Sequence, residues 1–215
     1  MDFFLKENNN FTPFSVQHAI VALFCIFFGF ALIFITKKQT QKVQSIIGNI
    51  LAFSICFTVI LGTFVHLYKG NFNTQEDLPL HLCSFLALVI PVLSVTKKFV
   101  YYEIFFFLIL AGTLQSLITP DEYNYLNFPF FRYWFVHAGL VIFMFFATFI
   151  YKMRPTLRSV GKSFLGMQAY MLFMFVLNYF LGSNYFFTNR KPDAATALDL
   201  FGDWPQYIFV VEILV

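Results

Sequence analysis

Charged side chains are scarce in this sequence of 215 residues, where they make up only 12% of the chain. Soluble domains carry about 25% charged residues, so this chain lacks the polar surface that a soluble domain of its size exposes to water. At the same time 59% of its residues are hydrophobic. Because such a surplus of apolar surface requires lipid around it, the composition predicts an integral membrane protein.

The sequence also shows no paired cysteines and no signal-peptide pattern. Cys25, Cys56 and Cys83 lie singly inside apolar runs and form no spaced pair, so we expect neither a disulfide framework nor a zinc knuckle. The first apolar run is too long for the hydrophobic region of a signal peptide. The net charge is only +3 and the basic residues lie in loops, so we expect no nucleic-acid partner. We also expect no cofactor.

Long apolar runs divide the chain. A spanning helix needs about 20 apolar residues, and six runs approach or exceed that length: Phe14–Thr36, Ile46–Tyr68, Leu78–Thr96, Phe99–Thr119, Phe128–Tyr151 and Phe164–Phe187. A seventh run, Trp204–Val215, would reach about 18 Å as a helix, short of a ~30 Å hydrocarbon core. The sequence therefore predicts an all-α, polytopic transmembrane bundle, one domain over residues 1–215, with six full spans and an incomplete seventh. We expect the natural chain to continue past Val215.

The loops between these runs alternate in charge. Nine of the 14 basic residues follow the first, third and fifth runs, in loops without an acid: Lys37, Lys38, Lys42, Lys97, Lys98, Lys152, Arg154, Arg158 and Lys162. Nine of the 11 acids lie on the other side. Because basic loops stay in the cytoplasm, the pattern predicts a multi-pass protein of the cell membrane with its N-terminus outside.

Polar side chains gather in the outer half of the predicted bundle. His81 and Cys83 open the third run, and Gln115 lies near the outer end of the fourth. His137 lies nine residues into the fifth run, roughly 13 Å along the helix axis, and Asn178 lies at a similar depth in the sixth. A polar group at such a depth needs a partner or a wet cavity. We therefore expect helices three to six to converge on one polar pocket.

The spacing of His81 and Cys83 limits how both can serve that pocket. On a regular helix they are about 200° apart. Both can face one small site only if the start of the helix is unwound, which Pro79 makes possible.

Several segments resemble the YwaF family of bacterial integral membrane proteins, in this order from about Asn71 to the end: LPLHLC, GTLQSLITPD, FRYWFVHAG, NYFLGSNYFF and GDWPQY. The resemblance implies about seven spans. That family is similar to a eukaryotic membrane family implicated in acyl transfer onto ether phospholipids, and through it to lipid hydrolases that pair an intramembrane threonine or cysteine with a histidine. On this resemblance the eukaryotic histidines correspond to His81 and His137, and the nucleophilic cysteine corresponds to Leu80 rather than to Cys83.

The first functional hypothesis is a lipid acyltransferase or hydrolase with a membrane lipid as its substrate. Acyl transfer needs a nucleophile, a nearby base and a donor for the developing oxyanion. Cys83 would be the nucleophile and His137 the base, with His81 orienting or substituting for it. The candidate substrate-binding residues are Gln115, Asp121, Asn178, Asn184 and Arg132.

Two other classes of function remain open from the sequence. A binding or transport protein would use the same polar pocket for a small solute, although the spans lack a clear inverted repeat. A structural or accessory helix bundle would hold the pocket incidentally. A metal site built on His66, His81, His137 and Asp121 has no supporting motif spacing. The sequence does not specify the oligomeric state.

Overall fold

The protein is all-α in the computed structural model, which describes residues 11–70, 72–120, 126–192 and 197–214. Within these ranges there are no strands. The α-helices are α1 Val16–Lys37, α2 Gln41–Tyr68, α3 Leu82–Thr96, α4 Phe99–Ile118, α5 Phe128–Phe149, α6 Leu157–Leu181 and α7 Gln206–Leu214. Two short 3-10 helices, Tyr185–Phe187 and Ala197–Phe201, lie between α6 and α7.

Five of these helices are long and apolar enough to cross a membrane: α1, α2, α4, α5 and α6. The fold is therefore that of a multi-pass membrane protein, as predicted. α3 is an apolar helix of only 15 residues, and α7 has 9 residues. These helix lengths do not establish the predicted count of six full spans and an incomplete seventh.

α3 begins later than the sequence predicts, at Leu82 rather than Leu78. The chain is extended at His81, with φ −67° and ψ 146°, so Pro79 lies before the helix and not in its first turn. A residue that precedes proline is disfavoured in helical conformation, and the carbonyl of Leu80 is bound by the hydroxyl of Tyr170 on α6. Both constraints keep the segment before Leu82 out of the helix.

α6 also differs from its predicted bounds, Phe164–Phe187. It begins at Leu157 because Thr156 and Ser159 form a capping box, which satisfies backbone N–H groups at the helix start. It ends at Leu181 because Gly182 adopts a left-handed conformation with φ 64°, where glycine carries no steric penalty. The polar residues from Ser183 onward therefore lie in a loop.

α5 lies at the centre of the bundle and α1 at its edge. Of the most apolar stretch in each helix, 61% is buried in α5 but only 11% in α1. α5 packs against α2, α3 and α4, and α6 packs against α4. Close approach depends on small residues, since a Cβ placed on Gly139 of α5 would lie 2.9 Å from a side-chain carbon of Ile55 on α2. Most side chains in this stretch of α5 are thus enclosed by protein.

Hydrogen bonds tie the helix ends together on each side of the bundle. We call N-face the end at which α1, α3 and α5 begin and α2, α4 and α6 end. There His18 Nε2 donates to the carbonyl of Leu117 at 2.9 Å, which joins α1 to α4. At the opposite end, the Glu103 carboxylate on α4 accepts from Lys162 and from Ser159 of α6. The basic loops lie at this opposite end.

Candidate catalytic pair and outer pocket

The thiol of Cys83 and the imidazole of His137 lie close enough to interact electrostatically inside the bundle. Cys83 is the second residue of α3, and His137 lies in the middle of α5. Both side chains are partly buried. The late start of α3 removes the helical offset expected between His81 and Cys83, because His81 precedes the helix. The Cys83 side chain is therefore free to point towards α4 and α5.

The imidazole of His137 is oriented by its own helix. Its Nδ1 lies 2.8 Å from the carbonyl oxygen of Tyr133, and a carbonyl can only accept, so Nδ1 carries the proton and Nε2 is left as the basic nitrogen. The Tyr133 ring lies over the imidazole, with centroids 4.1 Å apart, and its hydroxyl donates to the carbonyl of Ser116 on α4. The tautomer is the one that a general base requires.

Two further helices contribute polar groups beside this pair. On α4, the buried hydroxyl of Thr113 lies 3.8 Å from the sulfur of Cys83. On α6, the phenol of Tyr170 interacts electrostatically with Cys83 while donating to the carbonyl of Leu80. Tyr133, Thr113 and Tyr170 were not predicted from the sequence. Of these, only Tyr133 carried a readable signal, because residues four apart on a helix share a face.

The N-terminus of α3 adds hydrogen-bond donors beside the thiol. The first backbone N–H groups of a helix have no partner within the helix, and the His81 side chain does not cap them. They carry partial positive charge, which stabilises a thiolate or the oxyanion of a tetrahedral intermediate. We call Cys83, His137, Thr113 and these N–H groups the thiol site.

Three of the predicted substrate-binding residues lie elsewhere or outside the described residues. Gln115 is exposed, two positions along α4 from Thr113 and hence on a different face. Arg132 lies against α2, where a Cβ on Gly62 would come within 2.3 Å of its Nε. Asp121 falls outside the described residues.

The other two, Asn178 and Asn184, organise the loop after α6. Asn178 is 1% exposed and bonds to the backbone of Tyr185 and to the hydroxyls of Ser183 and Thr188. These bonds use both the nitrogen and the oxygen of the amide. Asn178 therefore stabilises the loop and does not contribute to the thiol site. Asn184 lies on the wall of a pocket.

That pocket, which we call the outer pocket, lies at the N-face and has a volume of about 210 Å³. It lies between the segment that leads into α3 and the loop after α6. The residues that define it are Gln75, Glu76, His81, Ser183, Asn184, Phe187, Arg190 and Lys191. His81 packs between the rings of Tyr185 and Phe187, with centroid distances of 5.3 and 5.2 Å. The structure therefore places His81 in the outer pocket and His137 at the thiol site.

Comparison with known proteins identifies the family of this chain. Neither a curated protein nor a solved structure matches the chain. The model of the TMEM164 family matches residues 13–215, which include every described helix. This integral membrane protein therefore belongs to the TMEM164 family.

Proposed function

We propose that this protein catalyses acyl transfer or hydrolysis on a membrane lipid, with Cys83 as the nucleophile and His137 as the general base. The observation that carries the proposal is the electrostatic interaction between the Cys83 thiol and an imidazole whose Nδ1 is bound to the Tyr133 carbonyl. A nucleophile, its base and a group that orients the base are the parts that covalent acyl transfer needs. Their depth in an apolar bundle favours a lipid as the acyl donor.

The first half of the proposed reaction forms a thioester. The thiol proton passes to Nε2 of His137, and the sulfur attacks the ester carbonyl carbon of the lipid. The carbonyl oxygen becomes an oxyanion, which the first N–H groups of α3 stabilise. As the carbon–oxygen ester bond breaks, the imidazolium returns its proton to the departing alcohol.

The second half releases the acyl group. Water or the hydroxyl of an acceptor lipid gives its proton to His137, and its oxygen attacks the thioester carbonyl. The carbon–sulfur bond breaks, and the thiol is restored by the proton on the imidazolium. Water as acceptor makes the protein a hydrolase, and a lipid hydroxyl makes it an acyltransferase.

Further support comes from the resemblance to the YwaF family and to the eukaryotic acyl-transfer family. It assigns a histidine at His137 but places the nucleophile at Leu80. Leu80 has no nucleophilic side chain, and its carbonyl accepts from Tyr170. We propose that Cys83, three residues later, takes the nucleophile's role in this chain.

Orientation is part of the same proposal. We propose that the N-face is outside the cell, because the loops rich in lysine and arginine lie at the opposite end and basic loops stay in the cytoplasm. The thiol site would then act on lipid from the outer leaflet.

The test compares the three cysteines of the purified protein with a lipophilic iodoacetamide. Cys25 and Cys56 are also free and partly buried, so they are internal controls. We expect Cys83 to react fastest and His137→Ala to slow its labelling by about tenfold or more, since a positioned base contributes 10²–10⁴-fold to a reaction. In vesicles with a radiolabelled acyl lipid, Cys83→Ala should abolish acyl release and transfer, while Cys56→Ala should retain them. Labelling of Cys83 no faster than Cys56, or full activity in Cys83→Ala, would exclude the thiol mechanism.

A further inference from the structure

Two cationic side chains line the outer pocket, beside the start of the helix that holds the nucleophile. Arg190 and Lys191 line it from the loop after α6, and His81 lines it from the segment that leads into α3. Glu76 is the acid on its wall. Lys191 also pairs with Asp199 at 3.8 Å and with Asp203 at 3.5 Å. Arg190 takes part in neither of these ion pairs and can therefore engage an anion, with Lys191 beside it.

The loop that carries these cations is held in place by side-chain hydrogen bonds. The Asn184 side-chain oxygen accepts from the backbone N–H groups of Asn189 and Arg190, at 3.0 and 3.1 Å, and its amide donates to the Arg190 carbonyl at 2.9 Å. The amide of Asn189 donates to the Ser183 carbonyl at 3.0 Å. Arg190 and Lys191 thus project from a backbone that is fixed before any ligand binds, which reduces the cost of binding.

The two walls of the pocket are also joined to each other. Gln75 donates to the carbonyl of Leu181 at 3.1 Å. The Tyr185 hydroxyl donates to the Thr74 carbonyl at 2.8 Å and accepts from the N–H of Leu78 at 3.0 Å. Burial raises the pKa of Tyr185, and the nearby carboxylates of Asp77 and Glu76 add to the effect, so the hydroxyl keeps its proton and its donor role. The pocket is a built cavity.

We propose that the outer pocket binds the phosphoester group of the ligand whose acyl ester reaches Cys83. Arginine suits this role because its planar guanidinium forms paired hydrogen bonds to phosphate oxygens. His81 lines the pocket and Cys83 lies two residues further along the chain, so a lipid whose phosphate lies in the pocket directs its apolar part into the bundle. This inference rests on the proposed function for the role of Cys83, but phosphoester binding itself does not require the thiol to react.

The experiment measures ligand-induced thermal stabilisation of Cys83→Ala protein in a neutral, phosphate-free detergent. The probes are glycerol 3-phosphate, a dihexanoyl phospholipid and dihexanoylglycerol, which has the same chains without phosphate. The disrupting variant is Arg190→Gln with Lys191→Gln. The matched control, Lys152→Gln with Arg158→Gln, removes the same charge from exposed residues at the opposite end of the bundle.

We expect the phospholipid to stabilise the protein and dihexanoylglycerol to have a much smaller effect. The disrupting variant should weaken phospholipid binding by about tenfold or more, because hydrogen bonds to charged groups are among the strongest in proteins, and the control variant should bind normally. Equal saturation by glycerol 3-phosphate would identify a soluble phosphoester as the ligand, whereas a much weaker response to it would identify a lipid headgroup. Binding that is independent of phosphate, or equal losses in both double variants, would overturn the proposal.

Substitution of Glu76 should change phospholipid binding in the opposite direction. An anion in the pocket is repelled by this carboxylate, so Glu76→Gln should strengthen phospholipid binding by a few-fold. Weaker binding in Glu76→Gln would mean that the pocket holds a cation and would overturn the assignment. Because Cys83 is replaced throughout, failure of these measurements leaves the thiol mechanism standing, and inactivity of the thiol leaves the phosphoester site standing.

Discussion

Replacing Asn178, near the end of α6, with alanine should destabilise the protein more than replacing any amide side chain in the loop after α6. The side chain is 1% exposed and donates to the Tyr185 carbonyl and the Thr188 hydroxyl, each at 2.8 Å. It accepts from the Ser183 hydroxyl at 2.6 Å and from the Tyr185 N–H at 2.9 Å. In the variant, the buried N–H and carbonyl of Tyr185 both lose these partners.

The magnitude follows from those two backbone groups. A buried polar group that loses its partner costs about 1–3 kcal/mol, so the loss at Tyr185 lowers the free energy of unfolding by about 3 kcal/mol. For a chain of this length, 1 kcal/mol corresponds to about 2–4 °C in melting temperature, and we expect the melting temperature of Asn178→Ala to fall by about 8 °C.

The assay is thermal unfolding of the purified protein in detergent, followed by circular dichroism. Asn189→Ala is the matched control, because Asn189 is exposed and its amide makes a single 3.0 Å hydrogen bond to the backbone, at Ser183. Its melting temperature should fall by about 2 °C or less. Equal shifts in the two variants would refute the conclusion that Asn178 is the central support of the loop.

Two further predictions concern packing and orientation. Gly62→Ala places a Cβ 2.3 Å from Nε of Arg132 and should lower the melting temperature by about 5 °C, since overpacking costs about 1–3 kcal/mol. Gly161→Ala meets no atom within 4 Å and should melt at or above the wild-type temperature, because alanine favours helix; the same decrease in both variants would contradict the role of close packing at Gly62. In protein without native cysteines, an impermeant maleimide applied to intact cells should label Asn73→Cys and leave Arg158→Cys unlabelled. The reverse pattern would exclude an N-face outside the cell.

The fold class could be read from the sequence because it depends on local properties. Apolar runs of sufficient length predict helices, and α1, α2, α4 and α5 lie close to their predicted positions. For the start of α3, Pro79 showed only that an unwound segment was possible. Its position also depends on a hydrogen bond between Leu80 and Tyr170, 90 positions apart, which the sequence does not reveal. A regular helix from Leu78 would turn Cys83 and His81 to nearly opposite sides. With the observed start at Leu82, His81 lines the outer pocket and Cys83 lies at the thiol site.

The candidate site, too, was predictable from the sequence only in part. The unusual positions of Cys83 and His137 in apolar runs were visible in the sequence because a polar group at such depth needs a reason to be there. Thr113 was not distinguishable from the many threonines that bond to their own helix. Asn178 satisfied the same criterion of depth as His137, yet its amide is fully occupied by the loop after α6. Depth predicts that a polar group has a partner but does not say which partner.

The shortness of α3 has a consequence for how the chain enters the membrane during synthesis. Its 15 residues span about 22 Å as a helix, less than the hydrocarbon thickness, and Pro91 interrupts its backbone hydrogen bonding. A segment of this length is shorter than the helix of about 20 residues that crosses the hydrocarbon core by itself. It packs against α2 and α4, so we expect it to enter the lipid together with these two helices.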